Sequence, residues 1–589
     1  MALHPFLTSF TTDFFMKRVY FDLNSSFIPP TVKVNCVAIV SNQTIVRRSG
    51  NYQPPIWKHE YIQSLNSEFK GEIYVERFNE LKKEVDVMIN QIIDDPLKNF
   101  ELIDTLQRLG ISYHFENEIK DLLKRTYEKS YESDDWKKNN LYATSLEFRI
   151  LRQHGLNVSQ EVFNNFKDET KNFSKQLYED LNGILSLYEA SFLCIEGENI
   201  LETAKHFTIN YLENYMRSCK DEYEASIIRH ALELPIHWRL SRLDTRWFID
   251  IYERKEDMNP ILLELAKLDF NRVQSIHQED LKYASSWWRS TGFGKKLSFA
   301  RDRLMENFFW TVGVGFEPEL SYFRRMGVKI NALTTSIDDV YDIYGTLDEL
   351  ELFTDAVERW DVGAVDQLPD YMKICFFVLH NAINEMAFDA LRDKGINVIQ
   401  YLKKLWVDLC KAYMLEARWY HSRYKPTLEE YLDNAWISIS GPVILIHAYV
   451  FVTSPTFQDM ESLVEYADII RWSSTIVRLA DDLGTSSDEI KRGDIPKSVQ
   501  CYMNDTGASE SKAREHVRHL IDETWKKLNK IDVENSVFPP VFIKIAKNLA
   551  RMAQCIYQHG DGHGLGHQET NEDIASLLIR PISIRSYSG

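Results

Sequence analysis

Apolar residues recur at spacings of three and four along most of the chain beyond residue 57. The segments 73–93 and 262–281 show this spacing, which places apolar side chains on one face of an α-helix. Alternating strand patterns with Asn-Gly or Asp-Gly turns are nearly absent, and the 23 glycines and 17 prolines cluster between helical segments. The pattern therefore predicts an all-α protein.

The length of 589 residues exceeds what one hydrophobic core usually supports, so we expect two large helical domains. The charged stretch 253–260, which ends in a proline, is the predicted boundary. We divide the chain into a leader at 1–46, an N-terminal helical domain at 47–258 and a C-terminal domain at 259–589. The leader is rich in Ser and Thr and poor in acids. That composition is typical of an organelle transit peptide, and the alternative is a tail with no targeting function.

Charge and cysteine usage exclude several classes of protein. The net charge of −18 disfavours nucleic-acid binding, which needs stripes of Lys and Arg. The seven scattered cysteines contain no CxxC pair, which argues against a zinc site or a disulfide framework. The longest apolar run, at 441–452, is shorter than the roughly 18 residues of a membrane helix. We therefore expect a soluble protein that uses neither nucleic acid nor a membrane.

A first acidic cluster lies at 338–342, with the sequence Asp-Asp-Val-Tyr-Asp. On a helix, Asp338 and Asp342 are one turn apart and share a face, where like charges repel. Three carboxylates so close together indicate a bound cation, and oxygen ligands suit Mg²⁺. The alternative is a solvated acidic helix end, which the mostly uncharged flanks at 334–337 disfavour.

A second cluster runs from Asp481 to Glu489 and is more informative. Asp481, Thr485 and Glu489 are spaced four residues apart, so a helix places their oxygens along one stripe. Arg478 lies three residues before Asp481, and its guanidinium fork matches phosphate oxygens. Two oxygen-rich clusters together point to a metal-bound diphosphate, and a capping or surface acidic run is the weaker interpretation.

These motifs resemble those of plant class I terpene synthases of the monoterpene synthase type. The first cluster resembles their DDxxD motif, and the second is similar to their (N/D)Dxx(S/T)xxxE motif. Arg301-Asp302-Arg303 resembles the RxR motif, and Arg47-Arg48 followed after eight residues by Trp57 resembles RRx8W. The resemblance covers residues 47–589 and implies a C-terminal catalytic domain of the isoprenoid synthase fold beside an N-terminal α-barrel-like domain.

The resemblance also implies roles for particular residues. Three Mg²⁺ ions would be held, with Mn²⁺ as a substitute, and Asp339 would hold a metal-bound water. Arg303 would help to close the site, and Arg47, Arg48 and Trp57 would belong to an N-terminal strand that caps it. The implied metal ligands are Asp338, Asp342, Asp481, Thr485 and Glu489. The implied diphosphate-binding cations are Arg301, Arg478 and Lys497, beside Asp338, Asp342 and Asp481.

An aromatic cavity would then hold the carbocation away from water. The resemblance suggests Trp310 for its wall, Tyr413 and Tyr557 for its end, and Asp561 and His563 for late proton handling; core packing is the alternative for each. Asn331 lies seven residues before Asp338, on the same helix face. Its amide would hold a water, favouring an alcohol such as linalool, α-terpineol or 1,8-cineole, or would instead bond a backbone carbonyl.

The function implied is a carbon–oxygen lyase that ionises geranyl diphosphate in plastids. The products expected are acyclic or monocyclic monoterpenes, including limonene, myrcene or ocimene types. A sesquiterpene synthase acting on farnesyl diphosphate in the cytosol is the first alternative. A chain-elongating prenyltransferase ranks low because Thr485 and Glu489 replace a second DDxxD motif. A non-catalytic helical binding protein is the remaining alternative, and a monomer or a homodimer is compatible with the sequence.

Overall fold

The computed structural model describes residues 47–91, 95–132, 137, 139–531, 537–563 and 568–584, except the side chains of 129–132 and 487–492. These residues form α-helices joined by short turns, and the all-α prediction is confirmed. A single antiparallel bridge, between Lys167 and Phe173, is the extent of β-pairing in the described residues. The predicted leader at 1–46 lies outside the described residues.

The helices of the N-terminal part precede residue 259. They are α1 (His59–Ser64), α2 (Glu72–Asn90), α3 (Pro96–Arg108), α4 (Glu116–Glu132), α5 (Leu141–Gln153), α6 (Leu181–Ser191), α7 (Asn199–Met216), α8 (Glu222–Glu233) and α9 (Ser241–Tyr252). Short 3₁₀ turns connect them at Glu68–Lys70, Ser112–His114, Gln160–Phe166, Lys175–Glu179 and Ile236–Trp238.

The helices of the C-terminal part carry the acidic clusters. They are α10 (Pro260–Thr291), α11 (Phe293–Lys296), α12 (Leu304–Val314), α13 (Ser321–Asp339), α14 (Leu347–Arg359), α15 (Asp370–Lys394), α16 (Ile399–Ser422), α17 (Leu428–Ser438), α18 (Gly441–Val452), α19 (Phe457–Leu463), α20 (Asp468–Arg492), α21 (Ser498–Thr506), α22 (Glu510–Asn529), α23 (Pro540–Ile556) and α24 (Gln568–Leu578). A π-helical turn at Val340–Tyr344 and 3₁₀ turns at Pro318–Leu320 and Val362–Gln367 complete the set.

The predicted boundary at 258/259 falls in the loop between α9 and α10. Asn259 caps α10, because its side chain accepts from the backbone N–H groups of Ile261 and Leu262, and Pro260 occupies the first helical turn. Residues 47–589 nevertheless cluster as one compact unit, and one apolar core extends from Ile62 to Ile582. A smaller core lies among α5, α6, α7 and α8. The division into two domains stays a prediction.

Buried ion pairs connect the two parts. Lys205 on α7 donates to Asp522 on α22 at 2.6 Å, and Lys526 pairs with Glu202, Asp522 and Glu523. Three carboxylates converge here closely enough to hold a metal ion. Because two lysines already pair with these carboxylates and offset most of their charge, we interpret the group as a cross-link between α7 and α22.

Two stretches have the length and mean hydropathy of a membrane span, at 370–394 and 428–452. The second is 72% buried within its most apolar window and is broken into α17 and α18. The first is 44% buried in that window. Polar residues interrupt both stretches, so the longest apolar run remains the one at 441–452.

A buried ion pair fixes α13, the helix that carries Asp338, to α10. Asp280 on α10 accepts from Arg324 Nε at 2.9 Å, and both side chains are fully buried. We expect Asp280→Ala to destabilise the fold by about 3–5 kcal/mol, because it leaves Arg324 buried without its counter-charge. Thermal unfolding followed by circular dichroism measures this. The exposed pair Asp355–Arg359 is the control, and Asp355→Ala should cost under about 1 kcal/mol. Equal melting temperatures for the two variants would contradict the assignment.

Candidate active site

A cavity opens among α12, α13, α16, α18, α20 and the end of α23. The cavity has a volume of about 140 Å³. Acidic, basic, aromatic and aliphatic side chains all line it. From the sequence-predicted set, it brings together Arg301, Trp310, Asn331, Asp338, Asp342, Tyr413, Arg478, Asp481, Thr485, Lys497, Tyr557, Asp561 and His563.

The first acidic cluster spans a change of helix type. Asp338 lies in the last turn of α13, whereas Asp342 lies in the π-helical turn that follows. Both line the cavity, so the predicted shared face holds, although the turn is wider than an α-helical one. Burial, followed by the charge of Asp338, raises the pKa of Asp342 well above its usual value. Ionised Asp342 therefore calls for additional positive charge in the cavity.

Asp339 has a different environment from its neighbours. Its carboxylate is fully buried and accepts from the backbone N–H of Arg301 at 2.7 Å and from Arg301 Nε at 3.0 Å. Arg301 Nη2 also reaches Asp338 at 2.5 Å. Asp339 therefore holds the guanidinium of Arg301 beside the cavity. Its predicted bond to a metal-bound water stays a prediction, and the described cavity lining does not include it.

The second cluster lies on α20, and its members divide into two sets. Asp481 and Thr485 line the cavity, and Thr485 Oγ1 donates to the backbone oxygen of Asp481 at 2.9 Å. Asp482 points into the protein, where it accepts from Tyr431 at 3.0 Å and from Arg478 at 2.7 Å. Arg478 also pairs with Asp481. Glu489 belongs to α20, but its side chain lies outside the described part of the structure.

The sequence analysis missed Glu416, a buried carboxylate of the cavity wall. It lies on α16 and accepts from Lys497 Nζ at 3.2 Å and from Asn434 at 3.2 Å, and it also pairs with Ser438. Burial opposes its ionisation, but Lys497 and Arg478 outweigh burial and lower its pKa. A charged residue three positions after Tyr413, on an otherwise apolar helix face, was the available signal.

The extended segment at 47–56 crosses the cavity mouth, and it forms no β-strand, unlike the predicted N-terminal strand. Arg47 donates to both carboxylate oxygens of Glu349 at 2.8 Å and lies 4.4 Å from the ring centre of Tyr344. Arg48 donates to the backbone oxygen of Asp342 at 2.8 Å and pairs with Asp494. The segment is therefore attached to the first acidic cluster on one side and to the loop after α20 on the other.

Two predicted residues lie behind this segment rather than in the cavity. Arg303 Nη1 donates to the backbone oxygen of Gln53 at 2.9 Å. Trp57 packs against the apolar core just before α1 and lies 6.0 Å from the ring of Tyr61. Arg303 thus bonds to the segment, and Trp57 attaches its C-terminal end to the core. These positions are compatible with the predicted closing role of Arg303 and capping role of Trp57.

Aromatic side chains form part of the cavity wall. The ring of Trp310 lies 6.1 Å from that of Tyr557 and 6.4 Å, edge to face, from that of His563. Burial, followed by Arg301 and Arg303, lowers the pKa of His563 to about 3. His563 is therefore neutral at pH 7, and its ring adds no positive charge to this wall.

Asn331 lines the cavity and has its amide nitrogen engaged. Nδ2 donates to the backbone oxygen of Asn307 at 3.3 Å and to Thr311 Oγ1 at 3.1 Å. Asn331 therefore makes the hydrogen bond to a backbone carbonyl that was the alternative expected from the sequence, and it does so through its amide nitrogen. The amide oxygen has no hydrogen-bond partner among the described residues, so it remains free to accept a bond from a ligand or water.

A break between α17 and α18 places further atoms in the cavity. Ser440 has a φ of 65°, a left-handed conformation that is strained for a residue with a side chain and is concentrated at functional sites. Ile439, Ser440 and Ile444 all line the cavity. Spacing alone did not reveal this break, since Pro442 is tolerated in the first turn of a helix.

Family comparisons agree with this geometry. Residues 56–232 match the description "Terpene synthase, N-terminal domain", and residues 289–527 match "Terpene synthase family, metal binding domain". The chain belongs to the terpene synthase family. The two matched ranges lie on either side of the predicted boundary, and the metal binding domain includes both acidic clusters of this terpene synthase.

Curated relatives align over nearly the whole chain. Terpene synthase 10 of Ricinus communis is 61% identical over 92% of this chain and 99% of its own length. A chloroplastic myrcene synthase of Quercus ilex is 59% identical, over 93% of this chain and 92% of its own. A (−)-alpha-terpineol synthase of Vitis vinifera is 58% identical, over 94% of each.

Solved structures share the fold. A limonene synthase with 2-fluorolinalyl diphosphate superposes with a TM-score of 0.89 at 47% identity, covering 91% of this chain and 100% of that one. The isoprene synthase of grey poplar (Populus x canescens), in complex with three Mg²⁺ ions and dimethylallyl-S-thiolodiphosphate, gives a TM-score of 0.83 at 48% identity. That alignment covers 90% of this chain and 99% of the isoprene synthase.

The Arg47–Glu349 pair generates a prediction about the N-terminal segment. We expect Glu349→Gln to accelerate tryptic cleavage after Arg47 and Arg48 by about fivefold or more, because the segment then opens more often. Time-resolved limited proteolysis with mass spectrometry measures the rate. Glu351→Gln is the matched control, since Glu351 lies on the same helix in an exposed pair with Arg418. Equal cleavage in the two variants would show that the pair does not hold the segment.

Proposed function

We propose that this terpene synthase is a monoterpene synthase that ionises geranyl diphosphate and releases diphosphate. The observation that carries the proposal is one cavity lined by members of two acidic clusters, by three basic side chains and by aromatic side chains. The myrcene and terpineol synthases among its relatives have names that denote ten-carbon products. Their similarity supports the ten-carbon substrate.

The residues around the cavity fit magnesium. Asp338, Asp342, Asp481 and Thr485 present oxygen ligands to one space, as Mg²⁺ requires. Burial and the charge of Asp338 raise the pKa of Asp342, so a bound cation would stabilise its ionised form. Glu489 would join this set by its position on α20. When bound, Mg²⁺ supplies Lewis-acid stabilisation of charge on the departing diphosphate.

The basic side chains prepare the site for the leaving group. Arg301 is positioned by Asp339, Arg478 by Asp482 and Lys497 by Glu416. These groups are charged and placed before the substrate arrives, so little reorganisation accompanies ionisation of the carbon–oxygen bond. They bind the diphosphate as its negative charge develops.

The aromatic wall then governs the cation. The faces of Trp310 and Tyr557 attract positive charge, and the apolar side chains Ile444 and Val477 exclude water from the cation. His563, which is neutral and lies at 3.4 Å from Thr335 Oγ1, and Asp561 are the candidates for removing a proton at the end of the reaction. The products follow from proton loss or from capture by water.

Plastid localisation is part of the proposal. The Ser/Thr-rich leader at 1–46 supports it, and several relatives are named chloroplastic. Fusion of residues 1–46 to a fluorescent protein in leaf cells tests it, and a cytosolic signal would contradict it. The oligomeric state stays a prediction between monomer and homodimer.

Metal dependence and the two acidic clusters can be tested together. We expect chelation by EDTA to abolish diphosphate release and Asp338→Asn or Asp481→Asn to lower kcat by about 100-fold or more, because each removes stabilisation of developing charge. A coupled diphosphate assay with geranyl diphosphate measures this. Asp348→Asn is the control, because Asp348 is exposed and lies away from the described cavity. Full turnover after chelation would contradict the metal assignment, and no turnover by the Mg²⁺-loaded wild type would reject the enzyme assignment.

Substrate length separates the proposed function from the sesquiterpene alternative. Among the described residues, the space behind Asn331 and Ile444 is a cavity of about 10 Å³, which is too small for five more carbons. We expect kcat/KM for geranyl diphosphate to exceed that for farnesyl diphosphate by about tenfold or more. Parallel assays with gas chromatography measure both. Equal or faster turnover of the longer substrate would favour a sesquiterpene synthase.

A further inference from the structure

Two basic side chains on α23 lie outside the reaction cavity and have no acidic partner in the part of the chain that the structure describes. Lys547 and Arg551 are four residues apart, so they are neighbours on one face of the helix. Neither lines the reaction cavity or the small cavity behind Asn331. No carboxylate among the described residues offsets the charge of either side chain. Positive charge is therefore unbalanced here, in a chain whose net charge is −18.

Arg551 is fixed by contacts to two other residues. Its Nε donates to the backbone oxygen of His237 at 2.8 Å, and its Nη1 donates to Asn548 Oδ1 at 2.8 Å. A guanidinium carries five N–H donors, so three of them have no acceptor among the described residues. His237 belongs to the 3₁₀ turn at Ile236–Trp238. The basic pair therefore lies where α23 meets this turn of the N-terminal part.

Lys547 has neither a hydrogen bond nor an ion pair among the described residues. Its side chain is half-buried, as is that of Arg551. Burial, followed by the charge of Arg551, lowers the pKa of Lys547 to about 8, and burial lowers the pKa of Arg551 to about 10. Both shifts have the direction expected for cations that lose water without gaining a counter-charge.

The neighbouring imidazole of His237 supplies no negative charge. Its Nε2 lies 2.7 Å from Asn529 Oδ1, and Asn529 Nδ2 donates to two backbone oxygens at 3.0 Å. The Asn529 oxygen therefore accepts, and Nε2 of His237 carries the proton. Burial, followed by the charges of Arg551 and Lys547, lowers the pKa of His237 well below its usual value, so the ring is neutral. Two positive charges remain without compensation in this contact.

We propose that Lys547 and Arg551 bind one oxyanion of the phosphate class at a site separate from the reaction cavity. An ammonium and a guanidinium present N–H donors that suit phosphate oxygens, and a doubly charged phosphate balances their repulsion. Because both side chains are half-buried rather than enclosed, the site is open to solvent. Arg551 also bonds to His237, so the anion stabilises the contact between α23 and the turn at Ile236–Trp238. This site adds to the proposed function and does not depend on it.

Acetylation of individual lysines tests the site. The full chain, in EDTA, is treated with acetic anhydride in potassium phosphate or in potassium chloride of equal ionic strength, and peptide mass spectrometry gives the rate at each lysine. We expect phosphate to slow acetylation of Lys547 by about fivefold or more, because a bound anion covers the amine and keeps it protonated. Lys544 is the internal control, since it lies on the same helix but already pairs with Glu317. Its rate should be the same in both salts.

Thermal unfolding of Lys547→Met gives a second measurement. Without phosphate, this variant should melt at or above the temperature of the wild type, because the repulsion with Arg551 is removed. Phosphate should raise the melting temperature of the wild type by about 1 °C or more beyond its effect on Lys547→Met. Lys544→Met is the matched control and should keep the full effect of phosphate.

Equal acetylation of Lys547 in the two salts would overturn the inference, and so would equal effects of phosphate on the wild type and on Lys547→Met. Diphosphate in place of phosphate forms a second arm of both measurements. Stronger protection by diphosphate would identify the released product, rather than free phosphate, as the source of the anion. Neither measurement uses geranyl diphosphate, so the proposed function is tested separately and is not affected by failure of this site.

Discussion

Repulsion among carboxylates around one cavity is the constraint on which the rest of this structure depends. Asp338, Asp342, Asp481 and Glu416 all face the same space. Burial and the charge of Asp338 raise the pKa of Asp342, so cations in the cavity stabilise its ionised form. A chain with a net charge of −18 can therefore bind a diphosphate, because the acidic residues gather the positive charge that the ligand needs.

Arginine side chains reduce this repulsion, and each of them pairs with two adjacent aspartates. Arg301 bridges Asp338 and Asp339, and Arg478 bridges Asp481 and Asp482. In both motifs, one carboxylate faces the cavity while its neighbour in sequence fixes an arginine. Adjacent aspartates point to different sides of a helix. Two consecutive aspartates therefore place one carboxylate in the cavity and a second one against the arginine. Both motifs thus need two consecutive acids.

Helical periodicity explains why part of this site could be predicted from the sequence. Spacing fixes which residues share a helix face, and Asp338, Asp481 and Thr485, which were selected by spacing, all line the cavity. Spacing is silent about partners far along the chain. Lys497 meets Glu416 from 81 residues away, and Arg47 meets Glu349 from 302 residues away. These pairs depend on how the helices pack, so no local sequence pattern predicts them.

The shape of the apolar wall is even harder to predict from the sequence, and Gly441 illustrates the reason. A Cβ on Gly441 would lie 2.7 Å from Ser474 Cβ and 3.1 Å from its Cα, so only glycine lets α18 start this close to α20. The left-handed Ser440 before it sets the direction in which α18 leaves the break. Together they decide where Ile444 and His447 lie relative to the cavities. Local sequence motifs thus determine the charged groups that promote ionisation. The shape of the cavity around the cation depends instead on the backbone break at Ser440 and on the close contact of Gly441 with Ser474.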